Sequence, residues 1–420
     1  MLSVFEIAAL LLMLSALFGW LNLRFLKLPH TIGLLIMALA ASLLLLALEK
    51  VAPGLGITAT LQNVMQEIDF TSAIMNGMLS LLLFAGALHV DFDLLKGQKW
   101  AITLMASIGV VISTAVVGVA LWFMAGGLGF NVPLPWALVF GALISPTDPV
   151  AVLGLLKSIN VPESIKAKIA GESLFNDGVA VVAFGVLLAV AVATTGQHRP
   201  DLWDIGELLL RDGLGGALFG LLTGWIAYRA MLAVDDHIVE ILISLAVCIG
   251  TYTLCNRLHI SGPIAVVVAG LLIGNHGAEH AMSETVEDYL FAFWEVVDEM
   301  LNSVLFLLLG LEVLVLSFDP SHGWIVLIAI PIVLTGRFVS VWIPISLLAL
   351  RQTFSAGSIP VLTWGGLRGG VSVALALSLP DSAAKPVLLT ATYAVVIFSI
   401  IVQGLTMKWV IGRTPDPASV

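Results

Sequence analysis

The sequence predicts an all-α membrane protein with about thirteen transmembrane helices. Three observations predict it. Of the 420 residues, 59% are hydrophobic and only 11% are charged, against about 25% charged in an ordinary soluble domain. The mean hydropathy is +1.07. Apolar runs of about 20 residues, the length needed to cross a bilayer, recur along the chain with only short connections. A soluble fold has no use for so much apolar side chain, whereas a helical bundle facing lipid requires it.

The candidate spans fall at about 4–23, 31–49, 71–90, 100–125, 136–156, 164–194, 213–233, 237–255, 260–275, 290–317, 323–349, 357–379 and 386–411. Met1 to Glu6 lacks the basic region of a cleaved signal peptide, so the first run is expected to stay as a span. The connections at 195–212 and 276–289 read as surface loops or interfacial helices. No regulatory tail is expected after the last span. Trp20, Trp100, Trp136, Trp203, Trp324 and Trp409 fall near predicted span ends, as an aromatic belt would. Cys248 and Cys255 lie seven apart on one apolar segment. That places them about 10 Å apart on one helix, too far to bridge, so they read as small core residues.

Orientation follows from the loop cations. With the N-terminus outside, the inner loops hold Arg24, Lys27, Lys96, Lys99, Lys157, Lys166, Lys168, Arg229, Arg351, Lys408 and Arg413, which is eleven. The outer loops hold Lys50, Arg199, Arg211, Arg257 and Lys385, which is five. The excess places the C-terminus inside. The net charge of −10 argues against a nucleic-acid partner, which calls for a basic surface.

Two spans look broken. The fifth carries Ile144-Ser-Pro-Thr-Asp-Pro149 near its centre. Two prolines there remove amide donors and block a straight helix. Pro149 suits the first position of a new half-helix, with Asp148 as its N-cap. The twelfth carries Trp364-Gly-Gly-Leu-Arg-Gly-Gly370, whose glycines permit unwinding or close backbone approach. The breaks are seven spans apart, and an odd offset inverts the second copy. Broken helices at matching places in two inverted halves point to a transport site at the midplane.

A charge at a helix centre costs roughly 2.5–3.5 kcal/mol, so each one needs a reason. The central ones are Asp148, Glu172, Asp177, Arg337 and Arg368. On the sixth span, Glu172 and Asn176 share one helical face, and Ser173 and Asp177 the adjacent one, so Asn176 is expected to organise the ion pair that Glu172 makes. Ser173, Asp177, Thr147 and Asp148 could together form an all-oxygen cage, which suits a hard cation. Glu172 needs a buried partner, and Arg337, mid-span in the eleventh, is the best one. Arg368 is read as compensating the dipoles of its own broken helix, the twelfth. Asp177 has nothing nearby in sequence to neutralise it. Three carboxylates and two arginines leave one negative charge, which either one Na⁺ or one H⁺ cancels, and this suits one-for-one electroneutral exchange. Burial beside Asp148 favours protonation of Asp177, so cation and proton would compete there.

Two other functional classes, an intramembrane protease and a cation channel, are the alternatives. An intramembrane aspartyl protease needs a dyad motif on facing helices that Pro-Thr-Asp-Pro and Asn-Asp do not supply, and no His-Glu-x-x-His is present. A cation channel fits less well than alternating access, because the charges pair internally and helices break in both halves.

These segments also match a known pattern. Ser145-Pro-Thr-Asp-Pro149, Gly171-Glu-Ser-Leu-Phe-Asn-Asp177 and Gly365-Gly-Leu-Arg-Gly369 carry the match. Leu28-Pro-His-Thr-Ile-Gly33, Ser261-Gly-Pro-Ile-Ala265, Ala269-Gly-Leu-Leu-Ile-Gly-Asn275 and Phe306-Leu-Leu-Leu-Gly310 add softer ones. In them the chain resembles the sodium/proton antiporters of the cation:proton antiporter-1 family, the NhaP/NHE type. The resemblance implies an inverted-repeat antiporter fold with two discontinuous crossing helices, an elevator-like motion and a homodimer in a bacterial inner membrane. It divides the chain into dimer-domain helices at 1–95 and 196–320, core halves at 96–195 and 321–413, and a short tail at 414–420. It implies Na⁺ ligands at Asp177, Asp148, Ser173 and Thr147, with Asn176 beside them. It implies a structural pair at Glu172 and Arg337, charge compensation at Arg368, and no cofactor besides the transported Na⁺ and H⁺. An Asn-Asp pair marks the electroneutral branch. One departure stands out. Some relatives supply a third-span glutamate to the site where this chain has Ala85, and neither Glu67 nor Asp91 is an obvious substitute.

Remaining polar features are read as follows. His276 and His280, with Glu279 between them, are expected in a solvated acidic loop, with metal binding or pH sensing as the alternative. Glu295, Asp298, Glu299 and Glu312 are placed at the membrane interface, with a cation funnel as the alternative. Asn302 is expected to bond across helices.

Overall fold

The computed structural model describes residues 4–51, 77–148, 163–194, 210–314, 323–350 and 357–413, with positions 152, 203, 206, 207 and 354. These residues form helices and short connections, with no strand among them. Glu67, the half-helix expected after Pro149, and most of the 195–212 connection lie outside the described residues. In chain order the helices are α1 Val4–Leu21, α2 His30–Val51, α3 Leu79–Leu88, α4 Phe92–Leu104, α5 Val110–Gly127, α6 Leu134–Leu143 and α7 Glu163–Ala193. Then come α8 Gly216–Met231, α9 His237–Leu258, α10 Gly262–Leu272 and α11 Glu284–Leu311. The last are α12 Gly323–Leu348, α13 Ser358–Trp364, α14 Gly370–Leu377, α15 Lys385–Phe398 and α16 Gly404–Gly412.

Among the described residues, eight helices are long and apolar enough to cross a membrane. Two shorter apolar helices, α3 and α6, belong to the third and fifth expected spans. Several spans carry one π-helical turn, as at Met105–Gly109 between α4 and α5 and at Ser399–Gln403 between α15 and α16. Such turns widen a helix locally without ending it.

The helices pack around two apolar centres. In the larger, Phe140 of α6, Phe306 of α11, Leu34 of α2 and Tyr393 of α15 are buried together. The smaller joins α3, α8, α9, α10 and the first half of α11, with Phe84 and Trp294 rings 4.8 Å apart. Helix α8 lies on α10 along Gly216, Gly220 and Gly224, which face Ser261, Ala265 and Ala269. Small residues at a spacing of four let two helices approach closely where lipid supplies no hydrophobic drive. Helix α5 packs between α6 and α12, and α7 against α6 and α4. These contacts bring α7 and α12, which carry Glu172, Asp177 and Arg337, to the end of α6, beyond which Asp148 lies.

Three expectations change here. Trp136 is buried at 4% exposure and packs in the core, while Trp20, Trp100, Trp324 and Trp409 are exposed as a belt requires. Lys168, counted with the inner loops, lies inside α7 and is buried, its ammonium 4.9 Å from the Phe354 ring. The ninth span does not stop at Asn275. Its helix runs on through a π turn at Ile273–Gly277 and a helical turn at Ala278–Ala281.

Candidate functional site

Helix α6 ends at Leu143, and Ser145 to Asp148 run without helical structure. Helix α13 ends at Trp364, and the chain crosses Gly366 to Gly369 before α14 begins. Both breaks stand where the sequence places them. They touch: the Asp148 backbone N–H donates to the Leu367 carbonyl at 2.8 Å. A Cβ on Gly369 would lie 2.7 Å from Asp148 Cβ, and one on Gly366 would lie 2.8 Å from Arg337 Cζ. Only glycine permits either approach.

The buried arginines serve the breaks. The Arg337 guanidinium binds both carboxylate oxygens of Glu172, with Nη2 to Oε2 at 2.9 Å. It also donates to the Leu362 carbonyl, from Nη2 at 2.8 Å and Nε at 3.2 Å. The expected Glu172–Arg337 pair therefore forms, and it covers the carbonyl end of α13 as well. Arg368 departs from expectation. Its Nη1 donates to the carbonyls of Ser145 at 2.5 Å and Pro146 at 3.0 Å, so it covers the carbonyl end of α6, the other broken helix. In return, the Asp148 carboxylate lies against Gly369, just before the amide end of α14. Each charge lies at the helix end whose partial charge it complements. A residue-by-residue reading could not see this, because compensation runs between the two halves.

Asn176 also departs from expectation. Its Nδ2 donates to Thr147 Oγ1 at 2.7 Å, and its Oδ1 accepts from the Thr147 N–H at 3.3 Å. It therefore pins the fifth-span break rather than organising the ion pair one turn away. Thr147 Oγ1 and Ser173 Oγ are 2.8 Å apart and hydrogen-bonded. Ser145 Oγ donates to Ser113 Oγ at 3.0 Å, tying the break to α5.

Asp177, Asp148 and Thr147 line one cavity of about 310 Å³. Ser173 is not on the cavity wall and sits behind Thr147. Helix α11 also lines the cavity, contributing Glu295, Asp298, Glu299 and Asn302. These three carboxylates thus line the cavity, while Glu312 is buried apart from them. Asn302 bonds within its own helix, from Nδ2 to the Asp298 carbonyl at 2.9 Å and to Asp298 Oδ1 at 3.1 Å. Ala85 lines the same cavity and is buried, so the site meets a methyl group there. Asp91 lines a neighbouring recess instead.

The sequence reading missed buried Lys168 and Glu240, which is wholly buried. Both lie near helix starts, where a charged residue reads as a surface one. The α11 wall was open to discovery, since Glu295, Asp298, Glu299 and Asn302 recur on one side of an otherwise apolar helix.

The profile of the transmembrane sodium/hydrogen exchanger family matches residues 12–412. The Na⁺/H⁺ antiporter NhaP of Pseudomonas aeruginosa is 42% identical over 413 residues, covering 97% of this chain and 96% of that protein. The Na⁺/H⁺ antiporter NhaH of Halobacillus dabanensis is 35% identical over 387 residues, covering 92% of each. The sodium proton antiporter MjNhaP1 of Methanocaldococcus jannaschii has a similar fold, with a TM-score of 0.72 at 18% identity over 97% of both chains. With its motifs, its crossed broken helices and a match along nearly its whole length, this chain belongs to the transmembrane sodium/hydrogen exchanger family.

Proposed function

We propose that this protein exchanges a monovalent cation, Na⁺ with Li⁺ or K⁺ as alternatives, for H⁺ across a bacterial plasma membrane. Cation and proton occupy Asp177 in turn. The observation that carries this is the cavity that joins Asp177, Asp148 and Thr147 to an acidic wall of Glu295, Asp298 and Glu299. Asp177 is a carboxylate reached from that cavity, while Glu172 is held by Arg337 in a bidentate pair. A cation entering there meets oxygen ligands and negative potential. A proton arriving at Asp177 removes the charge that the cation needs, so the two exclude each other.

The same reading gives the protein thirteen spans and alternating access. The segments at 96–195 and 321–413 move as a core against 1–95 and 196–320, the latter forming a homodimer. Packing of α11 on α2 and α3, and of α6 on α5 and α7, agrees with that division. With the N-terminus outside, the cavity opens to the cytoplasm, because His89 and Val90 at its rim follow α3 on the inner side.

Sealed vesicles with a preset pH gradient and a pH-sensitive dye test the proposal. Addition of Na⁺ should dissipate the gradient. Asp177→Asn should abolish the response while the purified protein still elutes as a folded species. No response to Na⁺, Li⁺ or K⁺ in sealed vesicles overturns the reading, and normal exchange by Asp177→Asn removes that residue from it.

A further inference from the structure

His276, Glu279 and His280 were expected in a loop, but the helix of the ninth span continues through them to Ala281. Positions i, i+3 and i+4 of a helix share one face, so the continuation gathers these three side chains. All three are exposed, and one ligand atom from each lies within 4.8 Å of the other two. The imidazole rings are 4.5 Å apart. The Tyr228 ring lies against His276 at 5.6 Å. Glu279 Oε2 is 3.6 Å from His280 Nδ1. The recess in front of His276 and Glu279 has a volume of about 650 Å³, and Glu287 stands on its wall.

We propose that His276, Glu279 and His280 form a binding site for a divalent transition-metal ion of the Zn²⁺ or Ni²⁺ type. The donor set decides the class. Two imidazole nitrogens with one carboxylate oxygen suit borderline metals, whereas Na⁺, Mg²⁺ and Ca²⁺ prefer oxygen alone. Bonds of about 2.0–2.2 Å to a shared ion bring ligand atoms within roughly 3–4 Å of one another. Exposed side chains reach that spacing by rotamer adjustment, since the helix has already fixed their Cα positions. His276 and Glu279 line the recess, so water there can complete the coordination. The site is separate from the ion cavity but adjacent to it, because His89 and Val90 line both. A bound divalent ion would thus stand beside the cation route.

Calorimetric titration of the purified full-length protein with Ni²⁺, with Mg²⁺ as the comparison, tests the site. One Ni²⁺ per chain should bind with a dissociation constant near or below about 10 μM. His276→Ala/His280→Ala should weaken it about tenfold or more, and Glu279→Gln should weaken it less. His237→Ala, which lies outside the cluster, should leave it unchanged. Affinity should rise with pH, because imidazole binds a metal only after losing its proton. Bound Cu²⁺ should give an electron paramagnetic resonance spectrum with nitrogen couplings in the parent protein and lose them in the double variant. Mg²⁺ binding equal to that of Ni²⁺, unchanged Ni²⁺ affinity in the double variant, or no saturable Ni²⁺ binding below about 1 mM overturns the proposal.

Discussion

Arg337 and Arg368 do related work at two places. Each brings a fixed positive charge to the carbonyl end of a half-helix, at Leu362 and at Ser145 and Pro146 respectively. Arginine suits this position because its planar fork makes several directed bonds and it keeps its charge. Arg337 carries the further duty of holding Glu172. Arg337→Ala should therefore lower stability by about 3–5 kcal/mol, since it strands a buried carboxylate. Thermal melting in detergent reads this, and an unchanged midpoint would mean that Glu172 is satisfied elsewhere. Asn176 illustrates what helical spacing can and cannot say. Spacing correctly separates it from the Ser173–Asp177 face. It does not reveal that Thr147, on another span, offers both a backbone donor and a hydroxyl oxygen, the pair of partners that a side-chain amide needs.

At the scale of the element, the broken helices and α11 matter most. The breaks were legible because proline and glycine act locally: Pro146 removes a donor, and Gly366 and Gly369 leave room. Their partners were not, because the Asp148–Leu367 bond joins residues far apart in sequence. Helix α11 carries the acidic wall, which on the proposed reading acts by its field rather than by ligation. Removing that wall should weaken capture of the cation more than its turnover. Glu295→Gln/Asp298→Asn should raise the apparent KM for Na⁺ several-fold at low ionic strength and leave the maximal rate close to the parent's. The difference should shrink as added choline chloride screens the wall. An equal KM at low ionic strength would assign these carboxylates no part in cation entry.

For the whole molecule, the arrangement of charge constrains the transport cycle. At the two breaks, Asp148, Asp177 and Glu172 stand against Arg337 and Arg368, which leaves one negative charge there, apart from the three α11 carboxylates farther along the cavity wall; on the proposed reading the carried ion cancels that charge. Lys168, Glu240 and Glu312 are also buried, but they lie near helix ends rather than at the breaks. Loading one Na⁺ or one H⁺ gives two states of equal charge, and moving either through the membrane field costs the same. Exchange should therefore carry no net current. Proteoliposomes on a conducting support should show Na⁺-driven pH change without a transport current, and a steady voltage-dependent current would contradict the count.

The sequence by itself determined that the chain lives in a membrane, where its helices break, and which five charges must be explained. Hydropathy, proline, glycine and the cost of burying charge all act within one span, so they can be read from a single sequence. Only the tertiary structure decided how those charges are shared. It crossed Arg368 and Asp148 between the two breaks, gave Asn176 to Thr147, placed three carboxylates of α11 on the cavity that Asp177 also lines, and gathered two histidines on a helix end. These are contacts between spans. A buried charge in a bilayer must find a partner somewhere, but which span provides it depends on packing in three dimensions.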